Sequence, residues 1–389
     1  MRAANIDAWI ILTREGNFDP LSEDFGFHLG RGALVFWDQG GERVERWALV
    51  TSLDVVPLRD TGIYDRVATF ERNESFEDGL RSLLSELDAQ RIGVNTSETN
   101  GIADGLSATY LEVLKRALGD KASRIMSAER AVLSFRSKRL ASEVELYRKA
   151  ALDTHEIIME ALTGDFIRPG ITTQRALRDY VQELAAEKGY PEVAWEREQC
   201  PGVYSGLFRD LSHAAAKEVV IEPGDILWVD FGVRFEGYTT DVIRASYVLR
   251  PGETEAPPEV RKMFETLERA NRGAMKAMKP GIAGWEVDRV AREIVTEAGF
   301  PEFFHSTGHP VGRVVHGAGP SLGERGRGIA PDLELEAGQI FAVEPSVMRK
   351  MPELGGAYII NMEEEVLVTE TGSEYLTPHQ TELILIEPR

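Results

Sequence analysis

The chain holds a single cysteine, Cys200. One thiol closes no internal disulfide and builds no thiolate cage for a metal, which fits a reducing compartment. Long apolar runs are also missing. No stretch approaches the ~18 residues that a membrane span needs, and the opening MRAANIDAWIIL meets Asp7 before an apolar core forms, short of a secretory signal. Positive charge is scarce: 44 Lys and Arg against 64 Asp and Glu leave a net charge of −20. Phosphate backbones and anionic membrane surfaces repel such a chain. These absences predict a cytoplasmic protein with neither nucleic acid nor membrane among its partners. The hydrophobic fraction of 43% is ordinary for a globular chain, and at ~150 residues per domain the length gives two or three domains.

Residues 1–135 alternate strand-like and helix-like patterns. AWIIL, ALVFW and RWALV are short apolar runs, with a hairpin turn expected at DQGGERV. Ser75 to Asp88 reads as an amphipathic helix with Leu80, Leu83, Leu84 and Leu87 on one face, and GLSATYLEVLKRAL as a second. This is an α/β domain with nothing catalytic in it; His28 reads as structural. A basic stretch, Arg136 to Arg139, then leads to a long helix for which Ser142 and Glu145 form the expected capping box. His155 and Glu156 start an HExxH-like motif, but Met159 stands where the second histidine belongs, so both read as helix surface.

An internal repeat dominates residues 136–389. IRPGITTQRALRDYVQELAAEKGYPEV matches MKPGIAGWEVDRVAREIVTEAGFPEF, and IEPGDILWVD matches LEAGQIFAVE. The second match sets Asp230 against Glu344. Asp241 and Glu363 form another pair, each heading an apolar strand-like run. Two αβ halves packed about a pseudo-twofold axis bring four carboxylates together. Such a cluster repels itself in a low-dielectric interior unless a cation sits among them. Carboxylates with one imidazole suit Mn, Co, Fe or Zn, and four of them suit two divalent ions better than one. His305, His309 and His316 in HSTGHPVGRVVH are the imidazole candidates.

At these residues the sequence resembles the M24 metallopeptidases, the pita-bread enzymes that include prolidase and aminopeptidase P. VDFGVRFEGYTTDVIR looks like the family stretch with two aspartates, and STGHPVG, AVEP and MEEEVLVT like its remaining ligand motifs. The resemblance implies an α+β architecture: an N-terminal creatinase/prolidase-like α/β domain, then a pseudo-twofold pita-bread catalytic domain. It implies metal ligands Asp230, Asp241, His309, Glu344 and Glu363, with Asp241 and Glu363 bridging two ions, manganese favoured over cobalt, zinc and iron. Glu365 is the weaker alternative to Glu363, since Glu364 points to the other strand face. Glu344 is the implied proton acceptor from a metal-bridging water, His213 and His316 the substrate histidines, and His305 a pocket-lining residue. The implied reaction is hydrolysis of the Xaa-Pro bond in dipeptides or short peptides, by a homodimer.

Two family positions differ. Met348 replaces a tyrosine four residues after Glu344, and Asn361 an arginine two before Glu363; Ser346 also replaces a glycine. These changes keep open a metal-dependent hydrolase or lyase acting on a small substrate without proline. Tyr204 and Phe208 either shape the pocket or pack. Cys200 reads as a bystander, His379 as structural, and GERGRG (323–328) as a loop rather than a phosphate cradle.

Overall fold

The computed structural model describes residues 1–26, 30–70, 74–208, 216–352 and 355–388. Two compact units follow one another, Met1–Phe135 and Arg136–Arg389.

The first unit runs β1 (Ala8–Thr13), β2 (Gly32–Asp38), β3 (Val44–Val50), α1 (Val55–Asp60), β4 (Arg66–Thr69), α2 (Phe76–Leu84), β5 (Ile92–Val94), α3 (Ala108–Leu118) and β6 (Ile125–Ser127), and α4 (Glu129–Ser137) leads out of it. Its sheet has the order β4-β3-β2-β1-β5-β6, with the expected hairpin joining β2 to β3. Both faces are covered. Ile10, Leu12 and Val35 pack with Leu80, Leu83 and Leu114, while Ile11, Leu34 and Phe36 pack with Leu58 and Val132. Two-sided burial is why these strands read as continuous apolar runs instead of alternating ones. Ser75 caps α2 by accepting from the Asp78 N–H, but the helix ends at Leu84, short of Asp88. A turn from the Leu87 N–H to the Leu84 carbonyl still delivers Leu87 to the core.

The second unit runs α5 (Ala141–Thr163), α6 (Gln174–Glu187), β7 (Gly202–Ser205), β8 (Ile226–Phe231), β9 (Arg234–Phe235), β10 (Tyr238–Thr239), β11 (Val242–Val248), α7 (Pro258–Ala277), α8 (Gly284–Glu297), β12 (Gly308–Pro310), β13 (Ile340–Val343), β14 (Ser346–Met351), β15 (Gly356–Asn361), β16 (Glu364–Val368), β17 (Ser373–Tyr375) and β18 (Ile384–Ile386). Helix α5 starts before the expected box: Leu140 is its cap, and the Leu140 N–H donates to Glu143 Oε2 at 2.6 Å. The glutamate three residues on supplies the reciprocal bond, so no serine is needed.

The repeat is visible in the structure. Helices α6 and α8 have 14 residues each, and both follow a Pro-Gly turn. Gly170 and Gly281 sit there at φ 82° and 86°, where a side chain is strained. The first half forms the sheet β18-β11-β8-β7 and the second β12-β13-β16-β17. Leu227, Val229 and Phe231 of β8 pack with α5 and α6, whereas Phe341 and Val343 of β13 pack with α7 and α8. Side chains alternate along a strand, so Asp230 takes the β8 face turned away from α5 and α6. The strand β18 runs parallel to β11, and Gln380 bonds both the N–H and the carbonyl of Ala245.

Candidate metal centre

The sheets meet where Ile243 and Glu363 exchange backbone hydrogen bonds at 3.3 and 3.2 Å. Asp241, just before β11, and Glu363, just before β16, flank this junction and are 5% and 1% exposed. His309 enters from β12, paired with Ala342 of β13. Its Nε2 lies 3.6 Å from Asp241 Oδ2, 3.5 Å from Glu344 Oε1 and 4.0 Å from Glu363 Oε1. One ligand atom each from Asp241, His309 and Glu363 falls within 4.8 Å of the others. Among the described residues no Lys or Arg pairs with Asp230, Asp241, Glu344 or Glu363.

The electrostatics follow from that crowding. Burial lifts the Asp230 carboxyl to about 7. Burial, with the charge of Asp230, lifts Glu344 to about 8. Burial and neighbouring acids hold Asp241 and Glu363 well above the usual carboxylate range. Burial, then the charge of His316, pulls His309 down to about 3, which keeps its imidazole neutral. Hard oxygens and a neutral imidazole, with no Lys or Arg paired to them among the described residues, form a donor set that fits divalent metal.

The three consecutive glutamates take separate positions. Glu364 turns to the other strand face and pairs with Arg244 at 2.8 Å, both wholly buried. Glu365 Oε1 accepts the Asp241 N–H at 3.0 Å, and its Oε2 is buried without a partner. Arg244 is the residue that the sequence reading missed. Its Nη1 donates to the carbonyls of Ile243 and Glu363, its Nη2 to Glu364 and the Pro378 carbonyl, and its Nε to His155 Nδ1 at 3.0 Å. A lone cation in the otherwise apolar VIRASYV run was the available signal, because a buried charge needs a partner. His155 is therefore half-buried behind the site instead of lying on the helix surface; Glu156 is exposed.

The remaining candidates scatter around this core. The exposed His316 ring lies 4.4 Å from that of His309, centre to centre. His305 is held through Nδ1 at the Ser306 carbonyl and Nε2 at Ser346 Oγ, both 2.8 Å. His213 falls outside the described residues. His379 lies between Glu268 and Glu364 and stacks on Tyr375. Tyr204 stacks on Trp228 at 4.0 Å, with Phe208 in the same aromatic group. Cys200 is buried, and burial raises its thiol pKa far above the ordinary range. Met348 lies on β14 opposite Ile359, and Asn361 pairs with Ser346.

Comparison with known proteins gives the chain's family and fold. Residues 145–370 match the profile described as metallopeptidase family M24. The probable dipeptidase PepE of Mycobacterium tuberculosis is 30% identical over 287 residues, covering 73% of this chain and 69% of that one. The Xaa-Pro dipeptidase of Pyrococcus furiosus is 28% identical over 292 residues, covering 75% and 77%. The crystal structure of X-Pro aminopeptidase from Thermotoga maritima is similar at a TM-score of 0.70 and 25% identity, over 99% of each chain.

Proposed function

The chain belongs to metallopeptidase family M24 and has its pita-bread fold, and from that premise we propose that it hydrolyses the Xaa-Pro bond of dipeptides or short peptides. The observation that carries this reading is the convergence of Asp241, His309 and Glu363 within 4.8 Å, beside Glu344. The names of its relatives, Xaa-Pro dipeptidase and X-Pro aminopeptidase, supply the substrate.

In this reading Asp230, Asp241, His309, Glu344 and Glu363 would hold two divalent ions, manganese first among Mn, Co, Zn and Fe. Bound ions of this kind lower the pKa of water and polarise a carbonyl. The Glu344 carboxylate takes the proton of the attacking water. His316, and His213 with it, hold the substrate and steady the charge that develops on its carbonyl oxygen. His305 borders the pocket. Residues 1–135 act as a creatinase/prolidase-like domain that limits substrate length, in a cytoplasmic homodimer.

The test is proline release from Xaa-Pro dipeptides and Xaa-Pro-Xaa tripeptides by metal-stripped protein given Mn, Co or Zn. Release that depends on metal supports the proposal, and the ratio of the two substrates chooses the branch. Metal uptake without release would sink proline specificity. Met348 and Asn361 favour the second reading in that event, a hydrolase or lyase for a small substrate lacking proline.

A further inference from the structure

Helices α6 and α8 occupy equivalent places in the two halves. Their fifth and ninth residues are Arg178 with Gln182, and Asp288 with Arg292. All four are more than nine-tenths buried. Gln182 Nε2 donates to the carbonyls of Arg197 at 2.8 Å and Cys200 at 2.6 Å. Arg292 does the same in the other half, with Nη1 on the Phe303 carbonyl and Nη2 on the His305 carbonyl, both 2.7 Å. Cys200 lies four residues before Tyr204, as His305 does before His309. Tyr204 pairs with Trp228, two residues before Asp230, and His309 with Ala342, two before Glu344. One device thus stands behind the same strand position in both halves. In the second half that strand carries the imidazole.

There the device is extended. Arg292 Nε donates to Asp288 Oδ2 at 2.7 Å, and Asp288 Oδ1 accepts the Thr307 N–H at 3.0 Å and its hydroxyl at 2.8 Å. The Thr307 carbonyl accepts the Glu344 N–H at 2.7 Å. Segment 303–307 has no regular secondary structure, so its own backbone does little to fix it. A planar guanidinium gripping two alternate carbonyls sets both direction and spacing, which a flexible ammonium does not. We propose that Asp288 and Arg292 are positioning residues of the metal centre, setting His309 and Glu344 through the segment from Phe303 to Thr307. This rests on the metallopeptidase reading of the cluster.

The test uses the metal-stripped full chain, titrated with Co²⁺ by calorimetry and followed by visible absorption, with melting of the metal-free forms as the folding control. Arg292→Leu should weaken Co²⁺ binding ~10- to 100-fold, the usual range for groups that hold a ligand in place, and change the absorption bands. Arg292→Gln, which installs the amide of the first half, should recover most of that affinity. Thr307→Val removes one hydroxyl contact and should weaken binding by a smaller factor; it decides the matter if Arg292→Leu does not fold. Folded Arg292→Leu or Thr307→Val with wild-type affinity and spectrum would overturn the proposal. An Arg292→Gln variant as weak as Arg292→Leu would also overturn it. Should the wild-type chain take up no Co²⁺, the metal reading itself fails; equal uptake by wild type and variants removes only the role of α8.

Discussion

Ile243 and Glu363 are backbone partners, each donating its N–H to the carbonyl of the other. The junction sets Asp241, two residues before Ile243 and on the same strand face, beside Glu363, and its backbone bonds do not involve the Asp241 carboxylate. Removing one carboxylate therefore leaves the frame intact. Asp241→Ala should keep its circular dichroism and lose at least one equivalent of bound metal. Proline release should fall by ~100-fold or more, because both metal roles are lost together. Metal analysis beside the release assay checks this, and retained metal with retained release would contradict the assignment.

The raised acids make stability depend on pH when metal is stripped. Asp230 at about 7 and Glu344 at about 8 bind protons in the folded state that the unfolded chain releases near pH 4. A raised folded pKa stabilises below the unfolded value, and that contribution is lost as pH rises through 7 to 8. Urea midpoints of chelator-treated protein should fall between pH 5 and pH 8. Added Mn²⁺ should restore more stability at pH 8 than at pH 5, since metal displaces those protons. A midpoint that rises over this interval without metal would count against a buried cluster.

Arg244 and Glu364 test the frame behind the metal. Arg244→Met strands a buried carboxylate and should cost ~3–5 kcal/mol, as broken buried pairs do. Burial opposes a charge on His379, yet Glu364 and Glu268 outweigh it and raise its pKa; that neighbour moves the loss toward the lower end. The double variant Arg244→Met/Glu364→Gln should recover part of the stability in denaturant titrations. If the double variant is no better than the single one, charge is not what the pair contributes.

His316 and His305 should separate in kinetics. His316 is exposed beside His309, and His316→Ala should lower kcat ~100-fold, within the range for a lost proton-transfer or oxyanion group, at unchanged metal content. His305 has both ring nitrogens engaged by its own scaffold. His305→Ala should cost ~1 kcal/mol of stability for the lost hydrogen bonds and change kcat far less. Steady-state rates with metal analysis distinguish the two, and equal losses would place His305 against the substrate.

Much of this was legible in the chain. Apolar runs located the strands, and matched Pro-Gly turns located the repeat and both 14-residue helices. Acids recurring at strand ends pointed to the cluster, because a repeat carries its acids with it. Register was less legible. Glu364 pairs with Val343 while Ile243 pairs with Asp230, so Glu363 stands level with Ile243 and the second acids of the two halves are offset. Arg244 showed its need for a partner but not which glutamate answered it, since that depends on how β11 meets β16. Gln182 and Arg292 do the same work with different chemistry, so sequence matching hides them. Leu140, which has no capping side chain, gave no sign that it opens α5.

The pairing of β18 with β11 has a consequence in time. A ribosome emits the chain in order, and domains fold as they emerge. All five candidate donors have left the tunnel once residue 363 is out. The strand that follows Asp241 still lacks its outer neighbour, which arrives only with Gln380 and Ile384–Ile386. A nascent chain therefore carries every donor before it has the framework that aims them. The centre is framed only once Ile384–Ile386 has emerged, so a chain cut short before that strand is a poor peptidase toward its neighbours.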